Sequence, residues 1–419
     1  MQGTTLCNTL RSILVAALIC GGAASPIVAA DWPLWRGPGR DGAAPDAALP
    51  SPLPDTLRKV WQIEVGEGHS SPVVAGDSVY IHSRQAEDEV VRALDLPTGR
   101  ELWRHADATA YTMNPAALKH GKGPKSTPVV AEGTLCTLGI AGRLSCFEAA
   151  SGKVLWQHDW SGRFAETAPD FGTAMSPAIF GGRLIAHVGG IAAGALAAFE
   201  LSTGKELWRW EGEGPGYASP VLATFDGVPQ IVTQTREHVL AVEASSGKEL
   251  WKIELKTPYV QNVVTPFVLG DTVIVSGLYN PVKALRPHRG AGGAFTADEV
   301  WKNAEVSMYM SSPVLAGGLL VGFTEKRSGQ LFALDPKTGK TLWLGEPRQG
   351  DNVALIAAGD QLLVQNVAGE LAVGAVSSDG WKATKSYAVA DSATWAHPAL
   401  IGNRILVKDA TRLTLWAFD

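Results

Sequence analysis

The chain has 419 residues, 46% hydrophobic and 18% charged, which is enough apolar material for one large core or two ordinary ones. Glycine (46) and proline (25) are raised without reaching low-complexity levels, which excludes collagen, coiled coil and wholesale disorder. A net charge of −5 argues against nucleic-acid binding.

Residues 1–30 read as an export signal. Arg11 is their one charge, an apolar run spans Ile13 to Cys20, and small residues lead to Val28-Ala29-Ala30. The run is shorter than a membrane span, and no later segment is long enough for one. The expectation is a periplasmic or secreted protein with no transmembrane segment in its mature chain. A lipid anchor on Cys20 is a weaker reading, because Ile19 stands where a lipobox carries a small residue. Residues 31–58 hold six prolines, so neither helix nor central strand is expected. They read as an extended arm pinned by Trp32 and Trp35, for packing or for partner binding.

From Lys59 onward one phrase recurs. It is clearest in Ala93–Trp103, ALDLPTGRELW, and returns at Cys146–Trp156, Ala198–Trp208, Ala241–Trp251 and Ala333–Trp343. A second phrase, Ser/Thr-Pro plus a short apolar run, precedes each copy at Pro72, Pro128, Pro177, Pro220, Pro266 and Pro313. Ala354 and His397-Pro398 hold the same places in the last two units. Eight units of roughly 45 residues result, each reading as four short strands separated by turn signals. The acidic residue is expected to accept turn amides, the glycine to supply a positive φ, and the tryptophan to end the outer strand against the next unit. Trp103, Trp156, Trp208, Trp251, Trp301, Trp343 and Trp381 hold that place. The last unit lacks an outer strand, which Lys59–Ile63 with Trp61 is expected to supply, closing the ring. The predicted fold is an all-β, eight-bladed propeller over 59–419. Two units depart from the phrase: the fifth has Arg286 at the acidic place and an insertion through Gly293, and the seventh has only Gly380-Trp381.

The phrase A-x-D-x-x-T-G-x-x-x-W resembles the tryptophan-docking repeat of the pyrroloquinoline-quinone (PQQ) type β-propellers, over nearly the whole mature chain. That superfamily includes quinoprotein alcohol dehydrogenases and outer-membrane-assembly propeller lipoproteins. The opening Trp32–Gly42, WPLWRGPGRDG, is similar to the leader of bacterial secreted PQQ-like repeat proteins. The resemblance implies fold more than cofactor, because most of its residues pack blades.

Loops joining one blade's outer strand to the next inner strand share a face with the loops between the two middle strands. That face surrounds the channel mouth and is the expected ligand face. Residues just before each Ser/Thr-Pro are its candidates: His69, Lys125, Tyr217, Asn262, Tyr309, Asp351 with Asn352, Trp395 and His397. Two long connections, 104–125 and 157–175, flank the second blade on that face. The first adds Lys122 and His120 and favours an anionic ligand; the second carries Glu166, Asp170 and Phe171, suited to balancing that charge or to weak Ca²⁺ binding. Cys136 and Cys146 flank a predicted hairpin turn, with a cross-strand disulfide and two free thiols both open readings.

None of the nine histidines forms a metal-binding pair, and no nucleophile elbow or phosphate loop exists. No catalytic residue, metal or cofactor is predicted. The leading expectation is a monomeric, non-catalytic exported scaffold for a protein or envelope ligand, with no nucleic-acid partner. The alternative is an oxidoreductase for an alcohol or sugar using PQQ with Ca²⁺. The resemblance would then require oxygen ligands for the metal and a carboxylate base, and it typically brings adjacent cysteines, which this chain lacks.

Overall fold

The computed structural model describes residue 1 and residues 31–419, apart from 161, 163–168 and 190–192. The export-signal and Cys20 readings, and Glu166, lie outside the described residues. Eight antiparallel sheets form the eight blades of a ring. The first runs outward from the channel through Val73–Ala75, Ser78–Gln85, Asp88–Asp95 and Glu101–Ala108. The eighth has Ala399–Ile401, Arg404–Lys408 and Arg412–Ala417, and its outer strand is Arg58–Glu64, antiparallel to the last of these. The N-terminal strand thus closes the circle. Helical structure among the described residues is confined to short 3-10 turns, and no described helix is long and apolar enough to cross a membrane.

The apolar core is a ring of interfaces. One buried cluster joins blades two and three around Leu138, Trp156 and Phe199; another joins six and seven around Val321, Leu355 and Val364. The cluster that closes the ring draws Trp61, Leu94, Leu96, Leu406 and Leu415 together with Trp32 and Ala44 of the arm. A single blade leaves both faces apolar, so each is stable only against its neighbours.

The repeated phrase has a specific mechanical content. In the first blade Asp95 accepts the Thr98 amide at 3.0 Å and its hydroxyl at 2.5 Å, and the Thr98 hydroxyl accepts the Arg100 amide. The tight turn presents Gly99, at φ +72°, to the indole of Trp61 from the preceding blade. Trp103 stacks in the same way on Gly152, Trp156 on Gly204, Trp208 on Gly247 and Trp301 on Gly339. The indole N–H completes the dock by donating to a carbonyl of the neighbouring blade, as Trp61 does to Leu96 and Trp103 to Ala149, both at 2.8 Å.

Of the seven tryptophans expected to end their strands only Trp381 does, and the other six are followed by further strand residues. Trp103 is third in a strand that continues to Ala108, and it pairs with Ala93 at a β-bulge that recurs opposite Trp156, Trp208, Trp251, Trp301 and Trp343. The small residue opening the phrase makes room across from the indole. The two irregular units behave irregularly. Trp251, facing a unit without Thr-Gly, donates to Gln230 of its own blade at 2.8 Å. Trp381 also donates within its blade, to Gly374, and the seventh outer strand is split into Gly380–Trp381 and Lys385–Ala388. Cys136 and Cys146 lie directly opposite each other and are joined by a disulfide.

The arm is not an extended strap on the ring. Residues 32–44 enter the central channel from the face opposite the ligand face, turn, and leave by the same face. At the foot, Asp31 accepts the Gly76 amide and Trp32 pairs with Val74 of the first inner strand. The tip is a pair of tight turns, Gly37 to Leu34 and Arg40 to Gly37, with Arg36 and Arg40 themselves at positive φ. On the way out Gly42 and Ala44 bond to Ala357 of the seventh inner strand. Inner strands have a free edge toward the axis, and the plug supplies partners for it.

Candidate functional site

The inner strands are tied to one another just below the mouth by the hydroxyls of the Ser/Thr-Pro phrase. The Ser71 amide donates to the Thr127 hydroxyl, Thr127 to Ser176, Ser176 to Ser219, Ser219 to Thr265 and Thr265 to Ser312, at 2.9–3.1 Å. The chain of links stops at the seventh blade, where Ala354 has no hydroxyl. The plug grips the same level from inside. Buried Arg36 donates to the Pro313 and Ser312 carbonyls, and buried Arg40 to those of Ser176 and Pro177.

Above this level lies a cup of about 210 Å³, closed below by Trp35 and Arg36. Because the plug fills the axis, the cup is blind. Its wall is a run of aromatic rings: His69 against His120, both against Trp395, His120 against Phe171, and Phe171 against Tyr217, with centroids 5.3–6.2 Å apart. On the far side the Tyr309 phenol donates to Gln261 at 2.5 Å. His397 packs on Trp32 and Trp35 at the base of the cup. Burial, then the Arg36 charge, lowers its pKa to about 4.

Burial, reinforced by Lys125, Lys408 and His120, pushes the His69 imidazole down to about 3, so it is neutral at pH 7. Burial also lowers Lys125 to about 8, partly countered by Glu89, and its ammonium has one long bond, to the Gly121 carbonyl at 3.4 Å. Burial raises the Tyr217 and Tyr309 phenols. Glu89 does not line the cup: its carboxylate accepts the Ile140 amide at 2.8 Å and faces His82 at 3.6 Å.

Of the sequence candidates, His69, Lys125, Tyr217, Tyr309, Asn352, Trp395 and His397 therefore meet in one cup. Three do not. Asn262 is fully buried behind the wall and donates to the Thr235, Arg236 and Leu255 carbonyls, while its neighbour Gln261 faces the cup. Asp351 is exposed, while Asn352, offered with it, lines the cup. The Asn262 miss is of one residue, just after a 3-10 turn that ends at Gln261 with φ −105° and ψ 69°. Lys122 points outward, 4.0 Å from Glu87. Asp170 accepts from Asn114 at 2.7 Å, tying the two long connections together. The floor residues Trp35 and Arg36 belong to no repeat, and their signal was two arginines set among glycines in the leader.

The described residues do not fit a Ca²⁺-bound quinone. Among them no aspartate or glutamate lines the cup, and no group of three or more His, Cys, Asp or Glu side chains is placed to hold a metal. Ca²⁺ takes oxygen ligands, carboxylates above all, and a carboxylate base would have to face the same space.

The family model described as outer membrane protein assembly factor BamB matches residues 87–344. The chain belongs to that family. A curated BamB of Burkholderia pseudomallei is 26% identical over 117 residues, 28% of this chain and 26% of that protein. The serine/threonine-protein kinase AfsK of Streptomyces griseus is 28% identical over 176 residues, 41% of this chain and 20% of that protein. The chain thus spans about a quarter or less of either curated relative. Among solved structures, BamB from Moraxella catarrhalis superposes with a TM-score of 0.62 at 14% identity, over 87% of this chain and 98% of that one. Quinohemoprotein alcohol dehydrogenase from Comamonas testosteroni gives 0.66 at 13% identity, over 93% and 80%. At such identities the likeness is one of fold, shared by BamB and an alcohol dehydrogenase alike.

Proposed function

We propose that this protein is an exported, monomeric, non-catalytic propeller of the cell envelope that holds a partner or envelope ligand at its channel mouth. The observation that carries the reading is the cup itself. It is blind, walled by aromatic rings, and lined by no described carboxylate that would serve as base or metal ligand. Membership of a family described by an outer-membrane assembly factor supports an envelope location and a protein partner. Exposed Tyr259 and Tyr279, both at positive φ on loops of the mouth face, extend its aromatic character outward.

A photo-crosslinking residue placed at Tyr279, on the mouth, and at Arg289, on the opposite face, tests the reading in bacterial envelopes. Adducts are expected from position 279 alone, and adducts only from 289 would refute the face assignment. Adding PQQ and Ca²⁺ to the purified protein is expected to give no dye-linked oxidation of alcohols or sugars. Stoichiometric uptake with turnover would replace the scaffold by an oxidoreductase.

A further inference from the structure

The plug tip carries two buried guanidinia and one carboxylate. Asp41 is that carboxylate, and its Oδ1 already accepts the Ala43 amide. Arg40 is satisfied by two carbonyls, and Arg36 spends Nη2 on three. Arg36 Nη1, however, is buried with no hydrogen-bond partner, and the residue forms the cup floor. On the wall, His69 Nε2 is likewise buried and unpartnered. Lys125 lines the same cup with a single long hydrogen bond. Buried donors are normally paired, and a buried charge without a counter-charge is costly. Three residues with under-used nitrogen groups therefore line a space that no described carboxylate lines.

We propose that the cup binds a small planar carboxylate, one aromatic ring bearing one carboxyl group, with Arg36 of the plug and Lys125 of the wall as its counter-charges. The inference rests on reading the mouth as the binding face and goes further by naming the ligand chemistry. Size sets the upper limit: pockets for drug-sized ligands run from about 300 Å³ upward, and this one is smaller. The walls set the shape, because aromatic edges on several sides favour a flat ring. The guanidinium at the floor and the ammonium on the wall, both lining the cup, suit the charge of one carboxylate. The remaining ring edge faces the Tyr309–Gln261 pair, which suits a polar ring substituent.

The test is calorimetric titration of the full protein with 4-hydroxybenzoate, with neutral 4-hydroxybenzamide, acetate and inorganic phosphate as comparison probes. Hydroxybenzoate is expected to bind, with the amide at least tenfold weaker and acetate and phosphate undetected. Lys125→Met is expected to weaken hydroxybenzoate at least tenfold without lowering the melting temperature. Lys122→Met, outside the cup, leaves binding unchanged. Arg36→Lys keeps a charge at the floor if Arg36→Met does not fold, and is expected to bind several-fold more weakly. Equal binding of acid and amide, tighter binding of phosphate, no binding of hydroxybenzoate, or an unaffected Lys125→Met protein would each overturn the proposal. Crosslinking only from the opposite face would instead refute the mouth as the partner's face while leaving a positive titration intact, so the two failures are distinguishable.

Discussion

Replacing Gly204 by alanine separates the two things asked of the glycine in each repeat. At φ +72° any side chain is strained, by about 1–2 kcal/mol. In addition, the new Cβ would sit 2.5 Å from Cδ2 and 2.7 Å from Cε3 of Trp156, which is 8% exposed and fixed by its bond to the Leu201 carbonyl at 2.8 Å. Moving an indole held in that way adds an overpacking cost of about 1–3 kcal/mol. Gly133 is the matched control: its φ is also +72°, and a Cβ there meets nothing within 4 Å. In denaturant titrations Gly133→Ala is therefore expected to lose about 1–2 kcal/mol from strain alone, and Gly204→Ala about 2–5 kcal/mol from strain and overpacking together. Adding Trp156→Leu to Gly204→Ala relieves the overlap, so the double-mutant cycle should show a coupling of about 1–3 kcal/mol. Equal losses at the two glycines, or no coupling, would refute indole-on-glycine docking as the link between blades.

Closure predicts that Trp61→Ala, which empties the interface between the last and first blades, costs about 3–5 kcal/mol. By contrast Arg58→Ala, breaking an exposed pair with Asp419, leaves the melting temperature unchanged. Reducing the Cys136–Cys146 bridge, ten residues apart in sequence, is expected to cost about 2–3 kcal/mol, with free-thiol titration reporting completeness. Burial lowers His187 and His397 to about 4 in the fold, against 6.5 when exposed, so the unfolded chain binds more protons between those values. Stability from these two is full above pH 6.5 and falls as pH drops toward 4, by about 1.3 kcal/mol each between pH 7.5 and 5.5. Denaturation midpoints at those two pH values measure it, and a pH-independent midpoint would show that neither ring is buried neutral.

What could be read from the sequence was what repeats. The acid, the hydroxyl, the glycine and the indole act within one blade and its neighbour, so the same chemistry is written repeatedly and its purpose shows. Even the lapses were legible: Arg286 in place of an acid and the bare Gly380-Trp381 mark the two places where docking changes partner. The bulge opposite six of the tryptophans was not legible, because a small residue before an acid also fits a regular strand. Among site residues most of the mouth candidates line one cup, but Gln261 rather than Asn262 faces it, after a 3-10 turn whose phase no sequence pattern fixes.

The plug escaped for a different reason. Its residues obey no period, since their places are set by the unpaired inner edges of distant blades: Val74 in the first, Val130 in the second and Ala357 in the seventh. Only the closed ring brings those edges together around one axis. A glycine- and proline-rich segment is what such a path requires, because the tip must reverse within a few residues while two arginines reach carbonyls on opposite sides. The same segment that satisfies the inner edges also turns a through-channel into a cup, and it places a guanidinium with a free donor at the bottom. Fold closure and ligand chemistry are therefore not separable in this propeller. A propeller of the same blades without the leader would keep the hydroxyl links from Ser71 to Ser312 but would have neither floor nor floor charge. Specificity is thus expected to track residues 32–44 more closely than the blades themselves.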